Sequence, residues 1–185
     1  YSFNVTPTSE GAVTVDVPAD VAQDASGNSN IAASQFTITY DATSPSISIA
    51  WSVSSPTNVS PIPVTGSFSE DISGFETGDL TLVNSSVSNL SGSGSEYSFD
   101  LTPSGDGGVS VQLPSGTVQD AAGNGNTASN QLSVTYDGNA PAVGTVSDGT
   151  GDDIDIQTIN TTISANWSGF SDEGTGIAYY EWAVG

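Results

Sequence analysis

Hydrophobic residues alternate with small polar residues in short runs along this chain. Such runs occur at residues 13–17, where every second residue is valine, at residues 36–40 and at residues 47–51. Clusters of Gly, Ser, Asn, Asp and Pro separate the runs, and no stretch keeps the 3.6-residue period of a helix. Alternation with a period of two is typical of strands that bury one face. The pattern therefore predicts an all-β protein made of short strands.

The chain also repeats itself. Residues 1–45 align without a gap to residues 97–141, an offset of 96 residues, and both copies begin Tyr-Ser-Phe. A period of this length suits a tandem array of small domains rather than a solenoid. Short alternating strands in a repeat of this size predict tandem immunoglobulin-like β-sandwich domains.

The repeat also predicts domain boundaries. The pattern Tyr-Asp-x-x-x-Pro occurs at residues 40–45 and again at residues 136–141, where a strand ends and a proline stiffens the entry to the next domain. We expect residues 1–44 to be the C-terminal half of one repeat and residues 45–140 to be a complete repeat. Residues 141–185 would open a different Ig-like or fibronectin-like module, so the sequence would be part of a longer protein. The predicted core aromatics of this third module are Trp167, Tyr179, Tyr180 and Trp182.

Charge changes the picture, because the chain has no Lys, Arg or His against 21 Asp and Glu, a formal net charge of −21. No carboxylate can meet a cationic side chain, so each must be solvated, hydrogen-bonded to a neutral donor, or neutralised by an ion from solution. Carboxylate, amide and carbonyl oxygens are the ligands that Ca²⁺ prefers. We therefore expect calcium as the bound cation.

Composition excludes several functions. Without His, Cys, Lys or Arg there is no Ser-His-Asp triad, no cysteine nucleophile, no ordinary zinc site and no phosphate-binding loop. The negative charge repels nucleic acid and anionic membranes, and no apolar run approaches the ~18 residues of a membrane span. Hydrolysis of a glycosidic bond by paired acids stays open. We predict that the chain is not an enzyme.

Two Asp-x-x-Gly-Asn-x-Asn loops are the first candidates for calcium ligands, since they place three oxygen-bearing side chains around a turn-forming glycine. The alternative is a tight turn closed by the aspartate, and the 12-residue register of an EF-hand is absent. The candidate ligands are Asp24, Asn28 and Asn30 in the first copy, and Asp120, Asn124 and Asn126 in the second.

Other acids are further candidates. Glu70 and Asp71 are adjacent in a predicted strand and point to opposite faces, so only one of them can reach an ion at the Asp120 loop; we choose Glu70. Asp41 and Asp137, at the two junctions, either bind calcium or cap the preceding strand. The densest acidic stretch, either an ion site or a solvated loop, contributes Asp148, Asp152, Asp153 and Asp155.

An ordered series of motifs runs through the complete repeat. It comprises Phe-Ser-Glu-Asp-Ile-Ser-Gly-Phe at residues 68–75, Asp-Leu at 79–80, Tyr-Ser-Phe at 97–99 and Asp-Ala-Ala-Gly-Asn at 120–124. This series resembles the bacterial Ig-like repeats of giant cell-surface adhesins. Residues 161–185 resemble an Ig-like or fibronectin-type module of Bacteroidetes surface proteins, including gliding-motility adhesins exported by the type IX secretion system.

These resemblances imply an extracellular fibre on a bacterial cell surface, without catalytic activity. Its partners would be neighbouring repeats of the same chain, a surface ligand or glycan held by a distal tip, and the secretion or anchoring machinery of the cell envelope. Two alternatives stay open. One is a carbohydrate-binding accessory module of a secreted enzyme, and the other is a passenger substrate captured on secretion or motility machinery.

Overall fold

A computed structural model describes residues 2–148 and 164–183 of the chain. Over these residues the fold is all-β, as the alternation predicts; the one helical element described is a 3-10 turn at Thr77–Asp79. No helix in this part of the chain is long and apolar enough to cross a membrane. In chain order the strands are β1 Gly11–Val15, β2 Phe36–Tyr40, β3 Ile47–Trp51, β4 Ile62–Ile72, β5 Thr81–Val83, β6 Ser85–Pro103, β7 Gly107–Gln112, β8 Leu132–Tyr136, β9 Thr145–Asp148 and β10 Ala165–Ser168.

Strands β3 to β8 form a β-sandwich. One three-stranded antiparallel sheet has the order β3-β4-β6, and the other has the order β5-β7-β8. A single hydrophobic core contains residues of both sheets, so the two apolar faces pack against each other. This confirms the predicted immunoglobulin-like β-sandwich. The most deeply buried core side chains are Ile49, Ile62, Val64, Phe99, Leu101, Val109, Val111, Leu113 and Val118.

Strand β4 shows why the alternation produces this core. Ile62, Val64 and Phe68 point into the sandwich, Gly66 is buried on the same face, and the alternate residues 63, 65 and 67 face solvent. Opposite β4, Ile49 of β3 is also buried, and Trp51 is half-buried against the core. A strand places successive side chains on opposite faces, so a period of two in sequence becomes one apolar face.

An aromatic cluster closes the sandwich near the C-terminal end of β4. The rings of Phe68, Phe75 and Tyr97 contact one another edge to face, with centroids 5.1–6.0 Å apart. Edge-to-face geometry is favourable for aromatic rings because the positive edge of one meets the negative face of the other. The cluster fixes the end of β4 where the motif Phe-Ser-Glu begins.

The first repeat copy reproduces half of this architecture. Strands β1 and β2 pair antiparallel with Gly11 opposite Tyr40, and β7 and β8 pair with Gly107 opposite Tyr136. The two registers are therefore identical after the offset of 96 residues. The two strand pairs thus fold alike, and the domain boundaries at residues 44 and 140 stay predictions.

The third segment differs from expectation. Strands β9 and β10 form a two-stranded antiparallel sheet. The aromatic residues predicted to form a core are not buried: Trp167 is 46% exposed, Tyr179 73%, Tyr180 49% and Trp182 77%. That prediction is wrong for the described residues, because no second sheet lies over the β9-β10 pair among them. Trp167 and Tyr180 instead contact each other with ring centroids 5.7 Å apart.

Replacing Leu101 with alanine should destabilise the complete repeat, since Leu101 is 0% exposed and its removal leaves a cavity between the sheets. We expect Leu101→Ala to lower the free energy of unfolding by about 2–5 kcal/mol, measured by urea denaturation. Its repeat counterpart Val5 is 49% exposed, so Val5→Ala is the matched control, with an expected loss below about 0.5 kcal/mol. Equal losses for the two variants would contradict the assignment of the core.

Candidate metal centre

The junction between β2 and β3 is held by acidic side chains that accept hydrogen bonds from neutral groups. Asp41 follows β2 directly, and its Oδ1 accepts a hydrogen bond from the Thr43 N–H at 2.9 Å. Glu10 Oε1 accepts from the Ala42 N–H at 3.1 Å and from the Thr43 hydroxyl at 2.7 Å. Asp41 therefore caps the strand end, and Glu10 ties the linker back to the start of β1.

The next junction repeats this arrangement. Asp137 Oδ1 accepts from the Asn139 N–H at 3.3 Å, as Asp41 does from Thr43. Asp106, the counterpart of Glu10, accepts from the Gly138 N–H at 2.8 Å and from the Asn139 side-chain amide. Both linkers thus donate backbone N–H groups to acidic residues at equivalent positions, 96 residues apart.

The Asp120 loop is closed by its own side chains. Asp120 Oδ1 accepts from the N–H groups of Ala122 at 2.8 Å and Asn124 at 2.9 Å, and Oδ2 accepts from Asn124 Nδ2 at 2.8 Å. Gly123 has a φ of +93°, in the left-handed region that favours glycine. In the first copy, Asp24 makes the corresponding bonds to the 26–28 turn. The motif therefore folds as an Asx-type turn in both copies.

Asn126 completes the closure of this loop. Its Oδ1 accepts from the N–H groups of Thr117 at 2.9 Å and Val118 at 3.1 Å, and its Nδ2 donates to the carbonyls of Pro114 at 2.9 Å and Thr127 at 2.8 Å. An amide oxygen has two lone pairs, and both are used here. Asn30 makes the four corresponding bonds in the first copy. Asn30 and Asn126 therefore act in these loops as turn-closing residues.

Three carboxylates meet where the linker, β4 and the Asp120 loop come together. Oxygen atoms of Asp41, Glu70 and Asp120 lie within 4.8 Å of one another, and no other such group of acidic residues occurs among the described residues. Asp120 is 6% exposed, while Asp41 and Glu70 are half-buried. Three carboxylates at this spacing, without a cationic side chain in the chain, are a ligand set suited to Ca²⁺.

Backbone hydrogen bonds bring these three elements together. The Ser73 N–H, just after β4, donates to the Gln119 carbonyl at 2.9 Å, which docks the Asp120 loop beside Glu70. The Thr127 N–H donates to the Pro45 carbonyl at 2.8 Å, which docks the linker on the same loop. The side-chain amide of Asn124 also lies 3.3 Å from the carbonyl oxygen of Asp41, to which it donates.

The pKa values show opposite effects within the cluster. Burial raises the pKa of Glu70, and the negative charges of Asp41, Asp120 and Glu10 raise it further. Burial also acts to raise the pKa of Asp120, but hydrogen bonds from Asn124, Ala122 and Gly123 outweigh it and lower this pKa overall. Asp120 is thus held in its charged form, while the ionised form of Glu70 is disfavoured. A divalent cation would relieve that repulsion.

The complete repeat matches a known protein family. Residues 41–136, more than half of the 185 residues, match the family model described as bacterial Ig-like domain. The chain belongs to the bacterial Ig-like domain family. Neither a curated protein nor a solved structure shows significant similarity to this chain. Bacterial Ig-like domains are typically non-catalytic and often extracellular.

The cluster of the Ig-like domain contains some of the ligands predicted from sequence. Glu70 and Asp120 lie in it, and Asp71 points away from it, against Gly94 of β6, as strand alternation predicts. Asp41, which the sequence left between calcium binding and strand capping, both caps β2 and contributes a carboxylate. Its position at a recurring junction was the available signal.

The remaining predicted ligands lie elsewhere. Asp24 and Asn28 are in the exposed loop of the first copy, and Asp148 is the last residue of β9. Three further candidates lie outside the described residues: Asp152, Asp153 and Asp155. Their assignment as metal ligands stays a prediction.

The second junction of the Ig-like chain contains a partial counterpart of the cluster. Asp137 Oδ2 accepts from the N–H of Thr175 at 2.8 Å and from its hydroxyl at 2.7 Å, and Asp172 lies within hydrogen-bonding reach. The Thr175 hydroxyl, aided by the N–H groups of Thr175 and Asn139, lowers the pKa of Asp137 against the effect of burial. Asp172 follows Phe-Ser in sequence, as Glu70 does, and each of the two acids lies beside the aspartate of its linker.

Removing the Asn126 side chain should destabilise the Ig-like domain, because it leaves buried backbone groups without partners. Asn126 is 3% exposed and makes four hydrogen bonds, so we expect Asn126→Ala to lower the free energy of unfolding by about 2–4 kcal/mol in urea denaturation. Asn30→Ala is the matched control, since the same bonds lie in an exposed loop where water replaces them; its expected cost is below about 1 kcal/mol. A small loss for Asn126→Ala would contradict the role assigned to this residue.

The two pKa directions predict a non-monotonic effect of pH on the metal-free protein. Glu70 has a raised pKa, so acidification from neutral pH towards the ordinary value of about 4.3 protonates it and stabilises the fold. Asp24, Asp120 and Asp137 have lowered pKa values, so the stability that they contribute is lost as pH falls through those values. Melting temperatures between about pH 2 and pH 7 should pass through a maximum.

Glu70→Gln tests whether Glu70 causes the rise in melting temperature on acidification from neutral pH. In this variant the melting temperature should change little between neutral pH and about pH 4.3, and it should still fall at lower pH as in the wild type. Asp71→Asn removes the same charge from the opposite face, and its melting temperature should depend on pH as that of the wild type does. If the two variants show the same pH profile, Glu70 is not the group responsible.

Proposed function

We propose that this chain is a structural segment of a secreted bacterial surface adhesin, in which consecutive Ig-like domains are stiffened by calcium at their junctions. The observation that carries the proposal is the cluster of Asp41, Glu70 and Asp120. Asp41 belongs to the linker, and the other two belong to the sandwich that follows it. An ion bound by all three would join the linker to the domain and restrict its bending.

Calcium suits this site better than other cations. The ligands are oxygen atoms from three separate backbone elements, and Ca²⁺ accepts six to eight oxygens in variable geometry, whereas Mg²⁺ demands a near-ideal octahedron. The carbonyl of Asp41 and water would complete the shell. Because the chain has no cationic side chain, a dissolved cation is the only positive charge available.

The charge of the whole chain supports an extended surface location. A net charge of −21 spread over all segments makes neighbouring domains repel one another, which resists collapse. Ig-like domains of this family are often extracellular. The partners would be adjacent repeats, a ligand or glycan at a distal tip and the cell-envelope export machinery; the export route would be type IX secretion in a gliding bacterium.

One observation favours a second function, a carbohydrate-binding module. Trp167, Phe170, Tyr180 and Trp182 line an open apolar cavity beside β9 and β10, and exposed aromatic rings can stack on sugar rings. A glycan-array signal that Trp182→Ala abolishes would support this function. Absence of any signal would leave the stalk as the better explanation of these domains.

Calcium should raise the melting temperature of the chain by several degrees, since a ligand that binds only the folded state stabilises it. Glu70→Gln should abolish this rise and, in chelator, should melt at a higher temperature than the wild type, because it removes an unfavourable charge. Asp71→Asn is the matched control and should keep the full calcium response. Melting would be followed by circular dichroism in calcium, in magnesium and in chelator.

Three results would argue against the calcium site. One is a wild-type midpoint that calcium does not change, and another is an equal response to magnesium. The third is a Glu70→Gln variant that responds to calcium as the wild type does.

A further inference from the structure

The β1-β2 pair of the first repeat copy presents an uncovered apolar face. Phe36 is 58% exposed and Ile38 is 55% exposed, although both belong to a regular strand. With Val13 and Val15 of β1 and with Phe3, they line one open apolar cavity. An exposed contiguous apolar surface of this kind marks a site where another element packs.

The second copy shows what covers the same face. Val109 and Val111, the counterparts of Val13 and Val15, are 0% exposed, and Val134, the counterpart of Ile38, is 3% exposed. They share one core with the buried aliphatic residues of β3 and β4. Since the registers of β1-β2 and β7-β8 are identical, the same pair of covering strands fits both faces.

Residues 2–7 give an independent indication. Their counterparts, residues 98–103, end strand β6, in which Phe99 pairs with Val64 and Leu101 pairs with Ile62 of β4. Residues 2–7 carry the same alternation but form no strand. The sequence pattern is shared, so the difference lies in the absent partner strand. Within residues 2–148 and 164–183, the first copy therefore lacks both a covering layer and a strand along this edge.

We propose that this face docks a strand pair of the β3-β4 type, supplied by the preceding part of the same polypeptide. The second strand of the pair would lie antiparallel to residues 2–7, with one aliphatic residue opposite Val5, where Ile62 faces Leu101, and the next inward-facing residue opposite Phe3. Its inward positions would be aliphatic and its outward positions polar, as in β3 and β4. The inference is independent of calcium binding.

A second copy of the chain fits this face less well. Its own Ile49, Ile62 and Val64 are at most 2% exposed, so its β3 and β4 are available only if its sandwich opens. Two copies also carry like charges of −21 and repel each other. A preceding strand pair in the same polypeptide does not have to leave another sandwich, and its covalent attachment keeps it close to this face.

The test adds a second copy of residues 45–96 directly before residue 1 of the full chain. We expect the N–H groups of residues 2–7 and of Phe36–Tyr40 to exchange with deuterium at least about tenfold more slowly than in the unextended chain. Binding of a hydrophobic dye should fall at the same time. In the matched control, the added copy carries Ile62→Ser and Val64→Ser, and neither change should occur.

A second variant keeps the proposal testable if the extended chain misfolds. In it, residues 97–140 are replaced by a copy of residues 1–44, which should preserve one cooperative unfolding transition if the half-repeats are interchangeable. Unchanged exchange in the extended chain, together with loss of cooperativity in the replacement, would overturn the proposal. So would a dimer of the unextended chain that already protects Phe36–Tyr40, because the occupant would then be a second copy.

Discussion

Carboxylates without cationic partners are the constraint on which this structure depends. In the part of the chain that the structure describes, the acidic side chains accept hydrogen bonds from backbone N–H groups, from asparagine and glutamine amides and from hydroxyls. Backbone donors are fixed in place and the side-chain donors are mostly short, so they bring acids close to turns and strand ends. The acids consequently concentrate at loops and junctions, where an ion can reach them.

The same constraint explains why Asp120 and Glu70 differ although they are neighbours. Asp120 begins a turn whose N–H groups converge on its carboxylate, and this supply of donors keeps the charged form favourable despite burial. Glu70 lies in the irregular part of β4 between Ser67 and Ile72, where burial raises its pKa and the charges that act on it are all negative. Two acids in one cluster thus have pKa values shifted in opposite directions because they belong to different secondary structures.

Much of the fold could be predicted from the sequence because it depends on periodicity. Ile62, Val64 and Phe68 alternate in sequence and therefore share a face, and the offset of 96 residues implied the common register of the two strand pairs. The expectation that only one of Glu70 and Asp71 reaches the Asp120 loop followed from the same period of two. These features are local, or are copied from one repeat to another.

The remaining features depended on which elements meet in space. That Asp41 joins Glu70 and Asp120 results from the docking of the linker on the loop, which no local pattern encodes. Trp167 and Trp182 are of a residue type that is common in cores, but their burial requires an opposing sheet that β9 and β10 lack among the described residues.

The similar contacts at the two junctions also have a mechanical consequence. Glu10 and Asp106 each tie a linker back to the domain that precedes it, through the same kind of carboxylate contact. When a chain of such domains is pulled from its ends, every linker carries the same tension, since the links are in series. At both junctions that load reaches a hydrogen bond between a linker N–H group and a carboxylate of the preceding segment.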